Sequence, residues 1–339
     1  MHTAALDYDL PVSAIAQTPV EPRDAARLLV DQGPGSAPAH RRVRDLPSLV
    51  GRGDVVVVNT TRVLPARLRL TKATGGAVEV LLLEPLAEGG SHRWEALVRP
   101  GRKVPSGTDL SLGHDGAVRV LDDLGEGRRV VELAIRPEVP VLDVLERHGE
   151  VPLPPYITTA LADPERYQTT YADRAESVAA PTAGLHLTRS LMEDVSGTGA
   201  RLATVELVVG LGTFRPIGAE RVEDHQMHGE RYRVPEATWR ACQTADRVVA
   251  IGTTSVRALE SAAATGQLEG RTELFIHGDR PFAVVGAMLT NFHQPRSSLL
   301  ALIDAFVGPR WRSLYEEALG AGYRFLSFGD AMFLRGERG

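Results

Sequence analysis

A chain of 339 residues, 43% hydrophobic, 24% charged and only 5% aromatic, has the composition of a soluble globular protein with one large or two medium cores. Its formal net charge of −5 excludes a generally basic nucleic-acid binder, though not one that holds phosphate through a local patch. No apolar run approaches the roughly 20 residues of a bilayer span, and the acidic, proline-bearing opening (Asp7, Asp9, Pro11) predicts no signal peptide. One cysteine, Cys242, excludes an internal disulfide or a cysteine-rich metal centre. A cytoplasmic protein with no membrane contact is expected.

In chain order, an irregular opening leads to Asp54-Val55-Val56-Val57-Val58, the pattern of a buried strand. Short strands are predicted next over 64–70, 77–86, 92–98, 117–121 and 129–135. Glycine-rich turns separate them at hairpin spacing, which points to a small β-barrel or sandwich. After Pro152-Leu153-Pro154-Pro155-Tyr156 the rhythm changes. Helices are predicted over 189–196, 235–245, 254–264, 297–306 and 310–319, with strands over 202–209, 247–251 and 283–289. Such alternation marks an α/β layer architecture. The fold class expected is a large mixed α/β domain, residues 1–61 and 156–339, with a small β-barrel domain, residues 62–155, inserted after its first strand.

Five of the ten histidines fall between residues 186 and 293. Pro181-Thr182-Ala183-Gly184-Leu185-His186 is either a loop whose amides meet a ligand, with His186 as acid or base, or a capped helix start with a packing histidine. Gly210-Leu211-Gly212-Thr213-Phe214 is a partial nucleotide loop or a tight strand exit, since Arg215 stands where a third glycine would be. His225 and His228, three apart with Glu230 beyond, suit substrate contact or a metal; no matching further ligands accompany them, and none is expected. Gly252-Thr253-Thr254-Ser255-Val256-Arg257 opens a helix where hydroxyls and free amides favour an anionic group, or simply cap it. Thr290-Asn291-Phe292-His293 leaves a strand into a loop, and Tyr323 to Ala331 carries Asp330 behind a glycine.

Taken together and in order, these strings resemble one family. Ile15 to Pro19 with Pro22-Arg23-Asp24, Asn59 to Arg67, Arg99-Pro100-Gly101, Pro152 to Ile157, Ala180 to His186, Gly252 to Ser261, Thr290 to Pro295 and Tyr323 to Ala331 are similar to motifs of the S-adenosylmethionine:tRNA ribosyltransferase-isomerases, over essentially the whole chain. The resemblance implies transfer and isomerisation of the ribosyl group of S-adenosylmethionine onto 7-aminomethyl-7-deazaguanine at the tRNA wobble position, with epoxyqueuosine, adenine and methionine as products. It implies a large α/β domain with a small barrel, no metal or redox cofactor, tRNA with a G-U-N anticodon as partner, and a monomer. On that reading His186, His228, His293 and Asp330 are catalytic candidates. Arg62, Thr182, His225, Thr253, Thr254, Arg257 and Asn291 are substrate-binding candidates. Residues 62–110 hold eight cations and five acids (Glu79, Glu84, Glu88, Glu95, Asp109), so this segment is either a solvated barrel face or a tRNA contact, in which case Arg99, Arg102 and Lys103 are expected to meet tRNA phosphates. The chain departs from the family pattern at Val208, where a histidine is usual, at His277 to Arg280, and at Glu176. A tRNA-binding homologue without catalysis and an S-adenosylmethionine-dependent methyltransferase are the alternatives.

Overall fold

The computed structural model describes residues 1–86, 90–210 and 216–336. Most of the glycine loop 210–214, together with Arg215 and Glu88, therefore lies outside the described residues. The chain divides into two compact units: Met1–Arg62, Pro154–Ala175 and Ala180–Gly339 in one, Val63–Leu153 and Glu176–Ala179 in the other.

The larger unit is built on a nine-stranded mixed sheet. Across it run Glu269–Thr272, Glu230–Arg233, Arg201–Leu207, Asp54–Asn59, Arg247–Ile251, Ala287–Asn291, Ala331–Arg335, Arg27–Val30 and Ala39–Arg42. The four strands from Arg201–Leu207 to Ala287–Asn291 are parallel, and Ala331–Arg335 runs antiparallel beside the last of them. Asp54–Asn59 is wholly buried, as a central strand covered on both faces requires. Alternate residues of the sheet (Leu28, Val30, Val56, Val58, Val249, Ile251, Leu289, Phe333) form one core with Leu191 and Val195 of the helix Arg189–Gly197. The helix Thr253–Thr265 packs on the central strands. The helices Ser298–Val307 and Trp311–Gly320 complete the unit.

The smaller unit is a seven-stranded antiparallel sheet in the order Gly149–Glu150, Arg67–Thr71, Ala77–Pro85, Arg93–Arg99, Arg128–Ile135, Gly116–Gly125, Asp109–Ser111. It curls until Lys72 pairs with Leu110 in a lone bridge, so the barrel is closed at one point only. Its helix, Val141–His148, is not among the predicted elements. It is tied down at Asp115, whose carboxylate takes two bonds from Arg147 and one from His148.

One expectation about connectivity is corrected. The inserted module follows the third strand of the large sheet, not the first, because Arg27–Val30 and Ala39–Arg42 precede it. Each is only four residues long, and the second is an exposed edge without apolar alternation. Among the described residues no helix is long and apolar enough to cross a membrane.

Candidate active site

The strands Asp54–Asn59, Arg247–Ile251 and Ala287–Asn291 end along one edge of the sheet, and Ala331 lies opposite Asn291 there. Loops leaving the carboxyl ends of parallel strands are where α/β sheets collect functional groups. Here that edge gathers Gly252 to Thr254, Thr290 to His293, and Asp330. Gly252, at φ +85°, occupies a backbone region that side chains disfavour; a Cβ on it would lie 3.5 Å from the Ala183 Cβ. The short helix Thr182–His186 is thereby seated against the strand ends.

Asn291 joins these pieces. Its Oδ1 accepts from the Thr182 hydroxyl at 2.9 Å, and its Nδ2 meets His186 Nε2 at 3.1 Å and the Asp330 carbonyl at 3.4 Å. The His186 ring is buried. Burial first, then the charges of Arg324, Arg23 and Arg166, bring its pKa down to about 4, against a smaller upward effect of a hydrogen bond with the Arg23 backbone.

His293 is fixed at three points. Its N–H donates to the Tyr315 hydroxyl at 2.9 Å, its carbonyl accepts from the Tyr8 hydroxyl at 2.5 Å, and its Nε2 lies 2.9 Å from the Thr290 hydroxyl. Burial pushes its pKa down to about 3. His293, Asn291 and Thr182 line a small cleft together with Tyr156, Gln294 and Ser327. The Tyr156 and Ser327 hydroxyls are 2.7 Å apart. Leu326, also at the cleft, holds φ +68°; a non-glycine residue in that region is strained by about 1–3 kcal/mol, a cost that clusters at functional sites. Larger cavities, about 530 and 800 Å³, lie elsewhere, beside Arg247 and Gly286 and beside His277 and Gly336. These flank the opposite ends of the parallel strands.

The remaining candidates divide. The helix start at Thr253 and Thr254 is buried, and the Thr254 hydroxyl has no hydrogen-bond partner. Asp330 is held at both carboxylate oxygens: one accepts from Arg27 N–H and the other from Arg324 N–H, both at 2.8 Å. Gly329 makes this possible, because a Cβ there would collide with the Arg324 carbonyl. The buried guanidinium of Arg257 is paired through Nη1 with Glu230, whose other oxygen holds the Gly210 N–H at 3.0 Å, while its Nη2 has no hydrogen-bond partner among the described residues. Arg62 pairs with Glu165 at 2.5 Å near the surface. His225 packs edge-on against Phe275, and burial and His228 lower its pKa. His228 is exposed, and among the described residues no hydrogen bond draws the pair into the Asn291 cluster. Among the described residues no three metal-binding side chains converge. Val208 keeps only a backbone tie, to the Arg231 carbonyl at 2.9 Å.

In the smaller unit Arg99, Arg102 and Lys103 are exposed at the end of a strand and in the turn after it. Among the described residues none of the three is ion-paired, whereas Arg67, Arg69 and Arg93 face Glu79, Glu150 and Glu132.

Tyr156, Ser327, Tyr8 and Arg23 were not among the sequence candidates. Tyr156, Ser327 and Arg23 stand inside motifs that carried the resemblance, so position was available but role was not. Tyr8 had no signal beyond being an aromatic residue in an irregular opening.

The family model described as queuosine biosynthesis protein matches residues 3–334. An S-adenosylmethionine:tRNA ribosyltransferase-isomerase of Rubrobacter xylanophilus is 50% identical over 337 residues, covering 99% of this chain and 98% of that protein. One from Heliobacterium modesticaldum is 46% identical, covering 98% and 100%. The crystal structure of an S-adenosylmethionine tRNA ribosyltransferase from Thermotoga maritima is similar, at 35% identity and a TM-score of 0.55, over 97% of this chain and 99% of that one.

Proposed function

We propose, because the chain belongs to the family of S-adenosylmethionine:tRNA ribosyltransferase-isomerases, that it moves the ribosyl group of S-adenosylmethionine onto 7-aminomethyl-7-deazaguanine in tRNA and rearranges it to the epoxycyclopentane of epoxyqueuosine. Adenine and methionine leave. The observation that carries the reading is a match that runs through residues 3–334 and includes every loop on the site edge.

The chemistry asks for few groups. The sulfonium acidifies the hydrogens on the adjacent 5′ carbon, and a base there starts the sequence. The attacking amine enters neutral, and adenine takes a proton as it departs. S-adenosylmethionine is a co-substrate, and no separate cofactor enters the scheme. His293 suits the base: with Nε2–H given to Thr290, its Nδ1 lone pair faces no hydrogen-bond partner among the described residues, and burial keeps the ring neutral at physiological pH. Thr182, Asn291, Thr253 and Thr254 hold the substrate at the strand ends. Asp330 acts by fixing the segment from Arg324 to the last strand. His225 and His228 contact substrate from outside the Asn291 cluster, with Arg62 at the surface, and Arg257 braces the base of the glycine loop through Glu230.

The tRNA partner carries a G-U-N anticodon, and its unpaired wobble base is turned out to reach the site. Arg99, Arg102 and Lys103 meet its phosphates. The protein works as a cytoplasmic monomer. The test is incubation with S-adenosylmethionine and precursor tRNA, followed by mass spectrometry of the wobble nucleoside. Adenine and methionine released only when that tRNA is present are the expected result. S-adenosylhomocysteine with a methylated product would mean a methyltransferase, and tRNA binding with no product would mean a homologue without catalysis.

A further inference from the structure

We infer that His186 acts through Asn291 and not on the substrate: it is the inner member of a chain that runs through Asn291 to the Thr182 hydroxyl, and with the Asp330 carbonyl it holds the amide that directs that hydroxyl. The inference deepens the proposed function and rests on it for the substrate, but the chain itself is a property of the free protein.

The orientation of the Asn291 amide is settled by its neighbours. A backbone carbonyl can only accept, so the side of the amide that faces the Asp330 carbonyl is Nδ2. The other side, Oδ1, then accepts the Thr182 hydroxyl. Because Nδ2 also faces His186 Nε2, that nitrogen must carry a lone pair, and the proton of the neutral ring sits on Nδ1. Protonating Nε2 would set one donor against another. The ring nitrogen that faces Asn291 is therefore spent inside the protein.

The charges around the ring act in the same direction. Arg324, Arg23 and Arg166 all disfavour a positive imidazole. Carboxylates in this region are engaged elsewhere: Glu21, Asp163 and Glu165 act on Arg23, and Asp330 is taken by the Arg27 and Arg324 amides. Arg23 also clamps the turn itself, donating to the carbonyls of Gln168 at 2.8 Å, Leu185 at 3.2 Å and Glu165 at 2.9 Å. This gives the Pro22-Arg23-Asp24 motif a task the reaction alone does not assign. The outcome is at Thr182: with its proton committed to Asn291, its oxygen offers only lone pairs to the cleft, so it takes a donor such as a ribosyl hydroxyl or an amine.

Two measurements test this. Long-range proton–nitrogen NMR of the histidine side chains, without substrate, should show His186 as the neutral Nδ1–H form from pH 8 to pH 5. Asn291→Asp, which replaces the donor by an acceptor, should move the proton to Nε2. An Nε2–H form in the wild type, titration of His186 near neutrality, or an unchanged spectrum in Asn291→Asp would overturn the chain whatever reaction the protein catalyses. The second measurement is turnover. Glutamine can accept from Asn291 through Oε1, so His186→Gln should keep kcat within about tenfold of wild type. His186→Ala should lose about 100-fold, the scale of a misplaced reacting group, with the pH profile unshifted in both. His186→Gln as inactive as His186→Ala, at an unchanged thermal midpoint, would make His186 the proton carrier instead. A wild type that releases no adenine defeats the functional reading and leaves the NMR result to decide the chain.

Discussion

Replacing Arg99, Arg102 and Lys103 together by alanine removes three exposed cations that no carboxylate neutralises among the described residues. That distinction sets the size of the effect. A cation already paired with a carboxylate displaces few counterions when RNA arrives, whereas an unpaired one displaces close to a full one per contact. At about 0.7 to 0.9 counterions per phosphate, three contacts contribute a slope of about 2 to 3 in log affinity against log salt. Between 50 and 200 mM salt the wild type should therefore lose about 20- to 40-fold more affinity than the triple variant. The assay is a salt titration of tRNA binding by fluorescence anisotropy. Neutralising Arg67, Arg69 and Arg93, which face Glu79, Glu150 and Glu132, is the matched control and should leave the slope nearly unchanged. Binding of S-adenosylmethionine without RNA should be the same in all three proteins. An unchanged slope with intact tRNA affinity in the Arg99, Arg102 and Lys103 variant would refute the argument, and the phosphates would then be held by the larger unit.

Three further outcomes are expected. His293→Ala should lower kcat by about 10²- to 10⁴-fold, the range for a positioned acid or base, with little change in S-adenosylmethionine affinity; near-normal single-turnover rates would remove His293 from the chemistry. Stability should fall as pH drops below 6.5, because His186 and His293 take up protons at about 4 and about 3 in the fold but at 6.5 when unfolded. The unfolded state binds more protons throughout that window, and by pH 5 the loss is roughly 2 kcal/mol per histidine. Urea midpoints from pH 7 to 5 measure it; His293→Gln should flatten the fall, and an equally steep fall in that variant would contradict it. Asp115 and Glu223, held down at about 2, act only in a lower window. Activity should survive dialysis against a chelator, since no third ligand joins His225 and His228 among the described residues; loss restored by one particular metal would reverse that.

What the sequence carried about the fold was local pattern, and it held where pattern was strong. Arg247–Ile251 has the bounds read from five apolar-rich residues between a helix and a glycine turn. The strand expected over 283–289 begins only at Ala287, because residues 283–285 give their amides to the buried Glu260 carboxylate instead of to a neighbouring strand. A side chain 23 residues away in sequence overrode a β-like run. Ala39–Arg42 was invisible for another reason: an edge strand needs no apolar face, and its pairing with Arg27–Val30 is a long-range fact.

The site divides along the same line. Glycines, hydroxyls and histidines at strand exits were enough to locate Thr182, Thr253, Asn291 and His293 on one edge, because a loop after a buried strand has few places to go. Atom-level roles could not be read, since residue type fixes what a side chain can do and not which of its atoms are spent. Asp330 and His293 both sit in loops beside the cleft and both are titratable. The two oxygens of Asp330 are consumed by amides of Arg27 and Arg324, partners separated from it by 303 and 6 residues. His293 is held mainly through its backbone and one ring nitrogen, and its other ring nitrogen has no hydrogen-bond partner among the described residues. Arg257 makes the same point with charge. A guanidinium at a helix start reads as an anion site, yet Glu230, 27 residues earlier and on a strand, already takes one of its nitrogens, and only Nη2 is left without a partner among the described residues. A reactive group is thus one whose neighbours leave an atom unspent, and that subtraction needs the folded chain.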